Sequence, residues 1–268
     1  MTKIIMAGAG GKMGAMIIKQ IMADKSLEIV GALEDATSPA IGKDIGEVIG
    51  TGKLGVIMVS DLSSIIGKAD VIIDFSIVKA TLKTLEIAVK NGKAMVIGTT
   101  GFKDEEKKLI EEAAKKIPVV FTPNFSVGVN LLFKLVREAT KVLKDKDFDI
   151  EIVEAHHRFK KDAPSGTALK LAQIAAEEKN LNLKDAMVTG REGMTGERNP
   201  DKIGVFAMRG GDIVGDHTVF YTTLGERIEL THKAHNRECF AKGSLVAAKF
   251  AAKGKAGLYD MGDVLGIK

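Results

Sequence analysis

The sequence is short of sulfur and of aromatic rings: Cys239 is its one cysteine, Trp is absent and only two Tyr occur. A lone thiol excludes a disulfide scaffold and a cysteine-built zinc cluster. No apolar run approaches the roughly 20 residues that span a bilayer. The apolar stretch after Lys3 closes at Gly8, too short for a signal-peptide core and without a small-residue cleavage site. A cytoplasmic location and no membrane partner are therefore expected. A strong charge of one sign is missing too, since 39 Lys+Arg face 35 Asp+Glu and the net +4 is spread along the chain. Nucleic-acid binding calls for a concentrated basic stripe with stacking aromatics, so no such partner is expected, and a small anionic ligand suits the charge better. What is present is an ordinary folded composition, 45% hydrophobic and 28% charged over 268 residues, enough for one large domain or two modest ones.

The first half alternates short Val- and Ile-rich runs with amphipathic stretches. Residues 4–7, 27–32, 55–59, 71–74, 94–97 and 119–122 read as strands, and runs this apolar are expected of a parallel sheet covered on both faces. Helical patterns lie at 12–24, 78–91 and 103–116, the second closed by Gly92. This alternation predicts an α/β fold with a doubly wound N-terminal domain. Beyond Phe125 the rhythm changes. Helices are expected at 129–143 and 168–178, strands at 149–156, 204–209, 217–223 and 227–234, and a last amphipathic helix at 241–253. With few helices between its strands, the second domain is expected to be α+β on a mixed sheet.

The first strand runs into Gly8-Ala9-Gly10-Gly11-Lys12-Met13-Gly14. Glycines allow a tight turn and close approach to a pyrophosphate, whose charge the following helix N-terminus meets. The spacing is G-x-x-G-x-x-G; in the stricter G-x-G-x-x-G pattern the third glycine would fall at Met13. Glu34, 20 positions beyond Gly14 at the end of the second strand, is placed to bond the adenine ribose hydroxyls. A dinucleotide site is expected rather than a purely structural turn. Asp35 would repel a 2′-phosphate, partly offset if Lys12 reaches the pocket, so NADH is expected to serve at least as well as NADPH. Asp74-Phe75-Ser76, Gly98-Thr99-Thr100 and Thr122-Pro123-Asn124-Phe125 end strands on the same side, where their amides and hydroxyls could hold the nicotinamide half.

The densest chemistry lies between Glu154 and Ala168. His156, His157, Arg158, Lys160 and Lys161 crowd ahead of Pro164-Ser165-Gly166-Thr167, which reads as a helix start. Such a cluster suits a carboxylate-bearing substrate, held by the Gly166 and Thr167 amides with help from the Ser165 and Thr167 hydroxyls, with an imidazole or ammonium to move a proton. A solvated surface loop, with Ser165 only a cap, is the plainer alternative. A metal is not expected: neighbouring strand residues point apart, and no acidic ligand pattern accompanies His156, His157, His232 or His235. Arg237 is as readily a surface residue as a carboxylate contact, and Cys239 reads as packing.

Together, Gly8–Gly14, Glu34, Asp74–Ser76, Gly98–Phe102, Asn124–Asn130 and above all Glu154–Leu169 resemble the dihydrodipicolinate reductase family over essentially the whole chain. The resemblance implies that NADH or NADPH delivers hydride to a cyclic unsaturated dicarboxylate, 4-hydroxy-tetrahydrodipicolinate, with loss of water, in lysine and diaminopimelate biosynthesis. It implies His156 and Lys160 as the proton-handling pair, with Lys160 the acid, and His157, Ser165, Gly166 and Thr167 on substrate. It implies Gly8, Ala9, Gly10, Gly11, Lys12, Met13, Glu34, Gly98–Thr100 and Thr122–Phe125 on cofactor. Also implied are a homotetramer joined through the second domain's sheet and a last helix that returns to the nucleotide domain, giving 1–126 with 237–268 and 127–236. Two residues depart from the family pattern: Asp35 stands where NADPH-favouring members often carry Arg, and Phe159 replaces a polar residue and is expected to pack. A different dehydrogenase on this architecture, acting on an amino acid or keto acid, is separated by a panel of substrates. A non-catalytic NAD sensor would bind cofactor without oxidising NADH on the ring substrate, and no partner-binding patch in the sequence supports it.

Overall fold

The computed structural model describes residues 1–267. The chain forms two compact units, one of Met1–Ser126 with Glu238–Gly266, the other of Val127–Arg237. In the first, β1 (Thr2–Ala7), α1 (Lys12–Ala23), β2 (Leu27–Leu33), α2 (Ile45–Val48), β3 (Met58–Val59), β4 (Val71–Asp74), α3 (Val78–Lys90), β5 (Ala94–Ile97), α4 (Asp104–Ala114) and β6 (Pro118–Phe121) follow in order. Alternate strand residues feed opposite cores, because successive side chains leave a strand on opposite faces. Ile4, Met6 and Ile73 pack with Ile17, Ile18 and Ile21 of α1. Ile5, Ile72 and Met95 pack with Leu85 of α3 and Ile110 of α4. Both faces are thus covered, which is why these strands are apolar throughout.

The strand expected over 55–59 shrinks to Met58–Val59. Gly50, Gly52 and Gly55 all take positive φ, at 73°, 86° and 76°, and the buried Asp44 carboxylate accepts the N–H groups of Gly46, Leu54 and Gly55. These contacts hold the segment as a loop and leave only its last two residues to pair with β2.

The second unit begins with α5 (Val127–Leu143), two residues ahead of its expected start, then β7 (Asp149–His156), α6 (Gly166–Glu178), α7 (Leu183–Ala186), β8 (Met187–Val188), β9 (Ile203–Arg209), β10 (Gly215–Thr223) and β11 (Glu226–Ala234). The sheet order is β11-β10-β7-β9-β8. The β10 pairs are antiparallel, while β9 is parallel to both β7 and β8, so the sheet is mixed. One face packs on α5 and α6 through Leu132, Val136, Leu171, Ile152, Val219 and Tyr221. The chain then re-enters the first unit as α8 (Glu238–Ala251), β12 (Gly257–Tyr259) and α9 (Met261–Leu265). β12, too short to carry a pattern in the sequence, adds to β6 and completes a seven-stranded parallel sheet, β12-β6-β5-β4-β1-β2-β3. No helix among the described residues is long and apolar enough to cross a membrane.

Candidate active site

Strand order reverses around β1, and ligands of such sheets bind outside the strand C-termini at that point. There Gly8 turns the chain with φ +76°, and a Cβ on it would sit 2.7 Å from the Phe75 carbonyl oxygen. A Cβ on Gly14 would lie 2.2 Å from the Gly8 carbonyl oxygen, so α1 seats on the turn only with glycine at that position. No side chain caps α1 and its first turn carries no acid, which leaves the helix N-terminus to an anion. Glu34 braces the turn from the end of β2: its Oε2 accepts the Gly10 N–H at 2.9 Å and its Oε1 the Asp35 N–H at 3.1 Å.

A cavity of about 730 Å³ opens here, lined among others by Gly8, Gly10, Gly11, Glu34, Asp35 and Lys83. This volume and the backbone cradle fit a dinucleotide. Asp35 turns its carboxylate onto the Thr37 hydroxyl and N–H at 2.6 and 2.9 Å, contacts that lower its pKa and keep it charged. A smaller depression of about 360 Å³ is lined by Met13, Phe75, Ser76, Gly98, Thr99 and Thr100. Gly98 lets the Phe75 ring lie against the backbone, since a Cβ would be 2.3 Å from that ring. Beneath, the buried Asp74 Oδ1 accepts the Ser76 N–H and hydroxyl and the Thr81 and Thr99 hydroxyls at 2.6–3.2 Å, while burial pushes its pKa up.

Not every expected cofactor residue lines these hollows. Ala9 is buried beneath the turn and Lys12 is exposed on α1, neither in the two linings. Thr122, Pro123, Asn124 and Phe125 also lie outside them; Phe125 reaches the wall through its ring, 5.5 Å from that of Phe75.

The second unit builds its site from side chains. Glu154 and His156 stand two apart on β7 and so share the face toward α5 and α6; His217 pairs with Glu154 across one strand boundary and with His232 across the next. Glu154 is fully buried, and each of its oxygens has two partners. Oε2 takes His156 Nδ1 at 2.5 Å and Arg209 Nη1 at 2.8 Å; Oε1 takes Arg209 Nη2 at 2.8 Å and the Ser165 N–H at 2.9 Å. Burial would raise its pKa, but Arg209, His156 and Ser165 outweigh it and hold Glu154 below the ordinary carboxylate value. Burial lowers His156 despite Glu154, and lowers His217 to about 4, so both rings are neutral near pH 7. The two rings stack edge to face, 5.2 Å apart.

The loop after β7 carries the remaining groups. Lys160 sits at the end of a turn closed by its N–H on the His157 carbonyl at 3.1 Å, with its ammonium 2.9 Å from Asp162. His157 leaves a buried Nδ1 without a partner. Phe159, expected to pack, is instead 77% exposed; its ring centroid lies 6.2 Å from that of His157. Ser165 is the N-cap of α6: its Oγ accepts the Ala168 N–H at 3.3 Å and also meets His217 Nε2 at 3.1 Å. Gly166 is exposed in the first turn of α6 with Thr167 beside it. Among the described residues there is no group of three or more potential metal ligands. Arg209 and His217 were not singled out from sequence, and Glu154 was given no role. The two-residue spacing of Glu154 and His156 could have flagged the pairing.

The family models for the N-terminus and C-terminus of dihydrodipicolinate reductase match residues 2–125 and 128–265. Proteins named 4-hydroxy-tetrahydrodipicolinate reductase from Hahella chejuensis and Syntrophus aciditrophicus are 50% and 47% identical over 268 residues, covering all of both chains. A dipicolinate-bound dihydrodipicolinate reductase from Paenisporosarcina sp. TG-14 superposes with a TM-score of 0.77 at 25% identity, covering 97% of each chain. A probable dehydrogenase from Thermotoga maritima, 13% identical with a TM-score of 0.61 and covering 99% of this chain and 93% of its own, shares the fold alone. With the two family models together matching nearly all of residues 2–265 and full-length relatives at about half identity, the chain belongs to the dihydrodipicolinate reductase family.

Proposed function

We propose that this protein is a 4-hydroxy-tetrahydrodipicolinate reductase: it consumes one reduced nicotinamide and one proton per substrate and yields tetrahydrodipicolinate, water and the oxidised nicotinamide. The observation that carries the reading is the buried His156–Glu154 pair on the strand whose following loop presents Lys160 and opens α6. The first unit binds the dinucleotide, with the pyrophosphate on the Gly8–Met13 turn, the adenine ribose near Glu34, and the nicotinamide half near Gly98–Thr100 and the Thr122–Phe125 turn. The bound reduced nicotinamide supplies the hydride. The second unit, residues 127–236, binds substrate.

A cyclic dicarboxylate carries two negative charges, which the His157 edge and the start of α6 at Gly166 and Thr167 would hold, since a helix N-terminus favours an anion. Ser165 sets that helix start, with its hydroxyl engaged inside the protein. Lys160 is the acid that protonates the ring system, and its bond to Asp162 keeps the ammonium on the loop beside His156. His156, neutral and anchored through Nδ1, presents Nε2 to receive or pass a proton. Both groups have the type and placement that general acid–base work requires.

A coupled assay that generates the unstable substrate in place and follows NADH and NADPH loss separately tests the reading. Oxidation dependent on the ring substrate, inhibited by pyridine-2,6-dicarboxylate, is the expected outcome; turnover of an amino acid with none of the ring substrate would overturn it. NADH serves at least as well as NADPH on this reading, because the charged Asp35 lines the cavity where a 2′-phosphate would fall. A kcat/KM for NADPH tenfold or more above that for NADH would refute this reading of Asp35. The enzyme is a homotetramer joined through the second unit's sheet. Val153 supports this, 41% exposed on β7 between the covered Ile152 and Glu154, with Met208 53% exposed on the adjoining β9. Sedimentation equilibrium giving a monomer would reject it.

A further inference from the structure

The proton-handling pair His156 and Lys160 leaves unexplained a heavily bonded charge beside it, the Arg209 guanidinium, which makes four hydrogen bonds. Arg209, the last residue of β9, is paired in register with His156 and grips Glu154 with both Nη atoms at 2.8 Å. The same guanidinium donates to the carbonyl oxygens of Asp162, at 2.6 Å, and Met208, at 2.7 Å. It therefore ties the buried carboxylate to the loop that carries Lys160. The backbone reinforces the tie, with Gly210 N–H on the His156 carbonyl at 2.9 Å and Arg158 N–H on the Gly211 carbonyl at 3.1 Å. Across from the ring, a Cβ on Gly215 would lie 3.0 Å from His156 Nε2, so glycine keeps the ring's far edge open.

We propose that Arg209 is a positioning residue for the proton-transfer site: it locks the Glu154 carboxylate, which fixes His156 with its proton on Nδ1 and Nε2 as the open atom, and it anchors the loop of Lys160 to the same carboxylate. The physical reason is the pairing count. An ionised carboxylate is acceptor-only, and a bidentate guanidinium fixes its plane. A carboxylate held in this way accepts from His156 Nδ1 and so selects one tautomer. The groups facing His156 are Glu154 on its own strand, Lys160 on the following loop, Arg209 on β9 and His217 on β10, behind which stand His232 on β11 and Asp216. Among the described residues Glu154 is the anion bonded to the ring, and Arg209 is the cation that competes with the ring for it.

This inference deepens the reductase reading and rests on it only for the kinetic consequence. The test is histidine NMR on the full-length protein. In the wild type near pH 7, the nitrogen shifts of His156 should show a protonated Nδ1 and an unprotonated Nε2; the opposite tautomer would overturn the proposal without any variant. In Arg209→Met the cation is lost and Glu154 is left to the imidazole, so the apparent pKa read at His156 should rise by about one unit or more. In Glu154→Gln the anion is lost and it should fall by a similar amount. Arg209→Lys, which keeps the charge but not the fork, should give a smaller rise than Arg209→Met. Shifts of opposite sign in the two variants support the positioning role; no shift, or shifts of one sign in protein that is still folded, would refute it. The acidic limb of kcat/KM should move with the NMR value. A wild type inactive on the ring substrate would defeat the reductase reading instead, and the titration would still decide the role of Arg209.

Discussion

The two units build ligand-ready surfaces from different material. In the first, the surface is backbone: Gly8 and Gly14 are needed because any Cβ would strike a carbonyl, and the helix end above them carries no side-chain cap. In the second, it is side chain: Glu154, His156, Arg209 and His217 come from β7, β9 and β10 and meet through cross-strand register. A backbone cradle recognises charge and shape and does not titrate. A side-chain cluster can hold and move a proton, and pays by depending on pH and on the pairing of distant strands. The contrast predicts that damage to the first unit appears in cofactor binding and damage to the second in turnover.

Lys160→Ala gives the largest expected effect. Positioned acid–base groups contribute about 10²–10⁴-fold, so kcat should fall at least about a hundredfold with the KM for NADH little changed; a variant keeping most of its turnover would remove Lys160 as the acid. Next is the pH dependence of stability. The folded pKa of His217, about 4, lies below its ordinary value of 6.5, so folding favours the neutral ring. That stability is fully present above pH 6.5 and is lost as pH falls toward 4, up to about 3 kcal/mol. Thermal or denaturant unfolding of the wild type should weaken over this window, and His217→Gln should flatten the slope; an unchanged slope would show that His217 is not the linked group.

Gly14→Ala should raise the Kd for NADH by about tenfold or more, because its Cβ would sit 2.2 Å from a carbonyl oxygen and the turn must shift. Binding of pyridine-2,6-dicarboxylate should be spared. Equal loss of both would break the proposed division of labour. The smallest effect is expected at Tyr221, whose buried hydroxyl meets Thr140 Oγ1 at 2.7 Å and the Val136 carbonyl at 3.0 Å. Tyr221→Phe should cost about 1 kcal/mol, read as a lower Tm with kcat unchanged.

Much of this was legible beforehand, unevenly. The parallel sheet could be read because strands buried on both faces are apolar at every position, as Val71–Ile73 are. The strand at 55–59 misled because its apolar residues lie in a loop stapled by Asp44, a contact no local pattern displays. Glycine spacing pointed to the turn, and strand ends pointed to Gly98–Thr100, which does line a hollow beside it. Lys12 adjoins the lining residues Gly11 and Met13 without being among them, and Thr122–Asn124, which follow β6, line neither hollow. Phe159 was expected to pack because it lies between His156 and Lys160, and it is instead 77% exposed, with its ring beside that of His157.

The sequence by itself determined the parallel sheet, the change of rhythm after Phe125, the family, and the clustering of His156, Lys160 and the α6 start. These depend on periodicity, glycine spacing and residues adjacent in the chain, which a linear reading displays. Only the tertiary structure decided that Arg209 meets Glu154 across 55 positions, that His217 stands against His156, and that Ser165 turns its hydroxyl inward. Those contacts follow from the register of β7 with β9 and β10, and register is set by how whole strands bury their faces together.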